Sequence, residues 1–299
     1  MSIKRLAKNI VPSSIYAPLQ KKWQSLGERS KERSIARDAS ACRDTAHDMR
    51  ALTDKLYASA RSTESAFGLD IPRDITSLRL DVGLSYTAPN SALWIKNDPR
   101  TFVFGFEPNP EALDFIFTGK ADRNKLRTLV APSLRKVGGV DWAQSLGKNM
   151  LVFGLAVDDA KPDMKRFNVT DGVGTSSFLR PLRYRTAKQI SVPTVRLSDF
   201  LSHIPWDRFK RIDALKVDTQ GNDIAVIRSA GEYLKRIVFV IAEIPLEAEY
   251  EGAYTEAELD AFMESNGFEV VEGDDKNKVY GNAGFKDMWK TVDPATIKE

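Results

Sequence analysis

The sequence predicts an α/β fold built on an open, mostly parallel sheet with helices on both faces. Two observations predict it. From Ile75 onward, short runs rich in Val, Ile and Phe (78–82, 102–106, 150–156, 213–217 and 237–243) alternate with helix-compatible stretches (88–97, 110–117, 140–147, 222–235 and 255–266). Strands that are apolar on both faces are those of a buried parallel sheet. Second, these runs repeatedly end in a carboxylate: Asp81, Glu107, Asp158, Asp218 and Glu243. Open α/β sheets place their sites outside the carboxyl ends of the strands, so five such ends converge on one crevice.

Taken in order, residues 1–70 read as a basic helical arm. Residues 1–37 hold nine Lys/Arg against Glu28 and Glu32, a local charge of +7, which leaves −4 for the rest of a chain whose total is +3. Ile3, Leu6, Ala7, Ile10 and Val11 recur at helical spacing up to Pro12. Such a turn packs on the body or touches an anionic membrane surface peripherally. Residues 28–62 lack Pro and Gly and carry a seam of Ile35, Ala39, Cys42, Ala46, Met49, Leu52 (or Thr53), Leu56 and Ala60. A helix with so thin a stripe needs a partner, which is either the body or a second copy of the chain in a homodimer. Residues 71–299 form the second unit.

Within that unit the region 163–197 departs from the alternation. It holds Thr170-Asp-Gly-Val-Gly-Thr-Ser-Ser177 and then Arg180, Arg183, Arg185 and Lys188 before Val192-Pro-Thr-Val-Arg-Leu197. We read it as a hairpin or flap inserted after the third strand. At the far end, Thr255 and Glu258 form a capping box and Gly267 stops the helix. Phe268-Glu-Val-Val271, an Asp274–Asn277 turn and Lys278-Val-Tyr280 then predict a C-terminal β-hairpin.

Composition excludes several classes. One cysteine rules out a disulfide framework and fits a reducing cytoplasm, and two histidines give no basis for a His-based metal site. There is no run of 18 apolar residues to span a membrane, and the mildly acidic body argues against nucleic acid as a partner.

The chemistry-bearing residues lie at the strand ends. Asp81-x-Gly83-x-Ser85 follows the first strand; Gly83 suits close backbone approach to a ligand, and Asp81 either anchors that ligand or caps the next turn. Ser85 and Ala88 stand where a dinucleotide loop needs glycines, which tells against a pyrophosphate. S-adenosylmethionine, with no phosphate, tolerates side chains there. Glu107, in Phe104-Gly-Phe-Glu-Pro-Asn109-Pro110, emerges at a turn fixed by two prolines and reads as a ribose acceptor or a helix cap. Ala156-Val-Asp158 ends the third strand, where an acid reaches an adenine amino group or simply forms a turn. Lys216 and Asp218 project to one side of the fourth strand, and Glu243 ends the fifth. Arg180 and Arg183 suit an anionic acceptor, and Tyr250 a sugar face; a solvated loop and a packing ring are the plain alternatives.

These blocks, together with Ser176-Ser177, Val192-Pro-Thr-Val-Arg-Leu-Ser-Asp199 and Leu215-Lys-Val-Asp-Thr-Gln-Gly221, resemble the FkbM family of S-adenosylmethionine-dependent methyltransferases over roughly residues 75–285. The loop after Asp81 is poorer in glycine than the family's, and Asn222-Asp223 replaces a small residue followed by Glu. The resemblance implies a Rossmann-like class I methyltransferase sheet that O-methylates a hydroxyl on a sugar, glycan or other small metabolite. It assigns the cofactor side to Asp81, Gly83, Ser85, Glu107, Asn109, Ala156, Asp158 and Ser177. The chemistry falls to Asp218 as base or orienter, with Glu243 and Lys216, and no metal is assigned. Arg180, Arg183 and Tyr250 take the acceptor. Two other classes remain: a non-catalytic adenosyl-binding scaffold that assembles through its arm, and a nucleic-acid methyltransferase.

Overall fold

The computed structural model describes residues 71–118, 148–244 and 249–294. The 1–70 arm, with its proposed self-association and membrane contact, and the 140–147 helix lie outside them.

Each parallel strand of the main sheet is buried along nearly its whole length, as its apolar sequence requires. β1 (Ser77–Val82), β2 (Thr101–Phe106) and β3 (Met150–Phe153) run parallel on one side. β7 (Ile212–Val217) and β8 (Ile237–Glu243) continue the parallel set on the other. The antiparallel hairpin β9 (Phe268–Gly273) and β10 (Asn277–Asn282) closes that edge, giving the order β3-β2-β1-β7-β8-β10-β9. Strand order therefore reverses between β1 and β7, where Asp81 pairs in register with Lys216. That switch point is where open sheets of this kind bind ligands.

The helices follow their sequence signals. α1 (Pro89–Asn97) starts on its proline and α2 (Pro110–Thr118) likewise. α5 (Glu256–Ser265) carries the expected capping box: Thr255 accepts from the Glu258 N–H, and Glu258 accepts from the Thr255 N–H. The expected 222–235 helix divides into α4 (Asp223–Ser229) and a 3₁₀ turn, Gly231–Arg236. A short α3 (Leu197–Leu201) stands where the sequence suggested the end of a strand.

The expected third strand, 150–156, is also two elements. Gly154-Leu155 interrupts it, and β4 (Ala156–Val157) leaves the main sheet to pair with β6. β6 (Thr186–Val195) and β5 (Met164–Thr170) form the inserted hairpin, so the flap is a three-stranded sheet of its own in the order β4-β6-β5.

Two apolar layers clamp the main sheet. One face presents Leu78, Leu80 and Val82 with Phe102, Phe104 and Phe106; the opposite layer holds Val103, Ala214 and Val238 with Leu113 and Trp94. Phe106, Phe153 and Phe200 meet with ring centroids 5.2–5.4 Å apart, a packed aromatic floor beneath the ends of β2 and β3. No described helix is long and apolar enough to cross a membrane.

Candidate active site

A cleft of about 490 Å³ opens over the carboxyl ends of β1, β2, β7 and β8. That volume is in the range of small-molecule sites. Its walls combine Phe106, Leu155, Ala156, Val157, Phe167 and Phe178 with a set of acids. Among the described lining residues the carboxyl groups are Asp81, Glu107, Asp218, Glu243 and Glu249, and the one basic side chain is Lys276.

Glu107 is buried at the end of β2. One carboxyl oxygen accepts the Ser85 N–H and the other the Asn109 N–H, both at 2.8 Å. Burial nevertheless pushes its pKa up to about 8, against these two bonds. Asn109 turns its own side-chain oxygen to the Glu111 N–H, so it caps α2. Asp81 accepts from the backbone N–H and the hydroxyl of Ser91 on α1; burial raises its pKa to about 6 although Ser91 and Lys216 oppose the shift. It thus lines the cleft and caps the following turn at once.

Gly83 lines the cleft, and the packing of the strand ends gives it a second reason to be glycine. Its φ of +88° is left-handed, and a Cβ there would lie 1.9 Å from the Asp218 carbonyl oxygen. Its N–H donates to Phe106 O at 2.9 Å, and Asp218 N donates to Val82 O at 2.9 Å. The glycine is required by the approach of the β7 loop, which then brings Asp218 beside the end of β1.

Asp218 keeps 37% of its side-chain surface open to the cleft, while Lys216 behind it keeps 5%, with Nζ 3.4 Å from the Asp218 carboxylate. Burial works against the Asp218 charge, but Lys216 and the hydrogen bond from Gln220 outweigh it and hold the pKa below the usual carboxylate value. Glu243 shows the opposite: burial, then the charges of Asp218 and Asp223, keep its carboxyl protonated well above the ordinary range. The surroundings thus pull the pair apart: Lys216 and Gln220 favour the Asp218 anion, while burial and the neighbouring charges favour the neutral form of Glu243. Gln220 Nε2 donates to Asp218 Oδ1 at 2.8 Å and to Glu243 Oε2 at 2.6 Å. Neither Gln220 nor the cleft residues Tyr184 and Glu249 was singled out by the sequence reading; the only sequence cue for Gln220 is its place directly before Gly221.

Several expected site residues turn away from the cleft. Asp158 is buried with Lys165 Nζ at 2.8 Å and Asn222 Nδ2 at 3.4 Å, so it ties the flap to α4 and is not open to an adenine. Ser177 donates to Gln220 O at 2.8 Å and accepts from Leu179 N, bracing the loop rather than lining it. Arg180 lies 3.4 Å from Glu251 and Arg183 lies 3.7 Å from Glu249; Arg185 and Lys188 pair with Asp171 and Glu111. These exposed flap cations pair with surface carboxylates and do not line the cleft. Tyr250 is buried, its ring 5.8 Å from that of Tyr184, with its hydroxyl 2.7 Å from Gln220 Oε1 and 2.9 Å from Thr175 O. It supports the site from behind. Ser85, Asn109 and Ala156 do line the cleft, Ser85 with a left-handed φ of +55°.

A mostly parallel sheet with its switch point beneath an acid-lined cleft defines a doubly wound α/β protein with a ligand-sized site at the carboxyl ends of its strands. The family model described as the methyltransferase FkbM domain matches residues 81–270, and the chain belongs to that family. A crystal structure of methyltransferase FkbM from Methylobacillus flagellatus KT is similar at 13% identity over 73% of this chain, with a TM-score of 0.36. The chain spans 46% of that protein's length. No curated relative matches it.

Proposed function

We propose that the chain is an S-adenosylmethionine-dependent methyltransferase that O-methylates a hydroxyl of a sugar, glycan or other small polyol. One observation carries this reading: five carboxyl groups and a single ammonium surround the cleft among the described residues. Even with Glu107 and Glu243 neutral, Asp81, Asp218 and Glu249 outnumber Lys276, so the lining disfavours a pyrophosphate and suits a donor that combines a ribose diol with cationic sulfonium and ammonium groups. When bound, that donor supplies an electrophilic methyl group. Glu107, fixed by two backbone N–H groups, keeps hydrogen-bonding capacity on both oxygens for ribose hydroxyls. The apolar walls around Phe106, Leu155 and Val157 exclude water from the transfer. Asp218 orients the acceptor hydroxyl and takes its proton, and Glu243, whose surroundings favour its neutral form, stands beside it on the same Gln220 amide.

The acceptor is neutral. A diphosphate-bearing sugar would face this lining without the flap cations, which stand outside the cleft. The test is incubation with S-adenosylmethionine and a panel of neutral sugars, glycans and nucleotide-sugars, read by mass spectrometry. A gain of one methyl group on a neutral polyol that disappears in Asp218→Asn supports the reading. Equal methylation by Asp218→Asn, or transfer to none of the panel while donor binds, would reject it.

A further inference from the structure

The side chain that organises the acid pair is Gln220, a residue the proposed chemistry does not itself use. Both of its Nε2 hydrogens are committed, one to Asp218 Oδ1 at 2.8 Å and one to Glu243 Oε2 at 2.6 Å. Its Oε1 lies 2.7 Å from the Tyr250 hydroxyl, and its backbone carbonyl accepts from Ser177 Oγ at 2.8 Å. The amide orientation follows from its partners: the reverse setting would turn Oε1 onto the Asp218 carboxylate.

The backbone shows that this side chain is retained against a cost. Gln220 has a φ of +58°, left-handed and non-glycine, immediately before Gly221 at +96°. A left-handed conformation in a side-chain-bearing residue persists only where its surroundings over-determine it, and such residues cluster at working sites. Glycine would relieve the strain at position 220 but would leave Asp218 and Glu243 with no common donor. At 221 a side chain is excluded on both counts, since a Cβ would lie 2.9 Å from Leu179 Cδ1 and 3.0 Å from the Ala253 Cβ.

We propose that Gln220 is a positioning residue: a neutral clamp that holds Asp218 and Glu243 at one amide nitrogen and links both, through Tyr250 and Ser177, to the flap that walls the cleft. This deepens the proposed function and rests on its assignment of the chemistry to Asp218 and Glu243. A neutral amide is the group this position calls for. It donates to two carboxyls at once without adding a positive charge that would favour the Glu243 anion, or a further negative charge that would favour protonated Asp218. The Tyr250 hydroxyl also lies 2.9 Å from the carbonyl of Thr175, a cleft residue of the flap. Displacement of the flap therefore bears directly on the pair.

The test compares Gln220→Gly, which keeps the backbone conformation, with Tyr250→Phe, which removes the hydroxyl placed between Gln220 Oε1 and the Thr175 carbonyl. The first readout is the pH at which Asp218 takes up a proton in the ligand-free protein. It is followed by infrared carboxyl absorption and assigned by its absence in Asp218→Asn. The midpoint is expected to rise by about one pH unit in Gln220→Gly and by a smaller amount in Tyr250→Phe. The second readout is the pH profile of kcat/KM, whose acidic limb rises with it. The third is kcat, which falls about 10–100-fold in Gln220→Gly while the Kd of S-adenosylmethionine stays within about twofold. A backbone role alone predicts that Gln220→Gly leaves the midpoint where it was. An unmoved midpoint in either variant overturns the proposal. Because the infrared titration needs neither donor nor acceptor, a chain that transfers no methyl group yet shows the shift would reject the activity and not the clamp.

Discussion

Gly83→Ala separates two explanations of a glycine that sequence reasoning assigned to the ligand. Its φ of +88° lies in the region where a side-chain-bearing residue costs about 1–2 kcal/mol. The new methyl would sit 1.9 Å from the Asp218 carbonyl oxygen, a backbone atom that no rotamer change can move. Relief requires the β1 and β7 ends to part by roughly 1 Å, and overpacking of that kind typically adds about 1–3 kcal/mol. The separation also stretches the bonds from Gly83 N to Phe106 O and from Asp218 N to Val82 O, each 2.9 Å. The total is about 3 kcal/mol, which for a domain of this size lowers Tm by roughly 6–12 °C. The assay is thermal unfolding of the ligand-free protein followed by circular dichroism. A variant that melts with the parent and loses only donor affinity would show that the glycine serves ligand approach, and would refute the packing argument.

Other outcomes follow from the same geometry. Glu107 has a pKa near 8 in the folded chain against 4.5 for the free side chain. The folded state thus binds the proton more tightly, so this contribution is fully present below the lower value and is lost as pH rises to the upper one. Chemical unfolding across that window should show stability falling with pH, at most about 1.4 kcal/mol per unit from this group, and Glu107→Gln should flatten the slope. Arg180→Ala and Arg183→Ala should each leave the acceptor KM within about twofold in steady-state assays, because both side chains are exposed and paired and such pairs contribute about 0–1 kcal/mol. Thr255→Ala removes the cap of α5 and should cost about 1 kcal/mol in denaturant titration without changing kcat.

The sheet was legible because buried parallel strands advertise themselves as apolar runs, and α5 because a capping box is a local pattern. The break at Gly154-Leu155 was not, since 150–156 is apolar throughout and only the pairing of Ala156 with Thr194 pulls its end into another sheet. Strand-end position told which acids gather at the rim but not where their side chains point. Asp81, Glu107, Asp218 and Glu243 face the cleft, whereas Asp158 turns to Lys165. The flap arginines looked available because their partners, Glu249 and Glu251, lie some 65–70 residues away. Gln220 escaped notice for the same reason: an amide acquires its role from Glu243 and Tyr250, which reach it only through the tertiary fold.

Calorimetric titration of the protein with S-adenosylmethionine, beside NAD as a phosphate-bearing control and Glu107→Ala as the variant, tests the acid-lined cleft most directly. The account predicts saturable binding of the sulfonium donor, at least about tenfold weaker in the variant, and no binding of NAD. Binding of NAD, or donor affinity indifferent to Glu107, would contradict it.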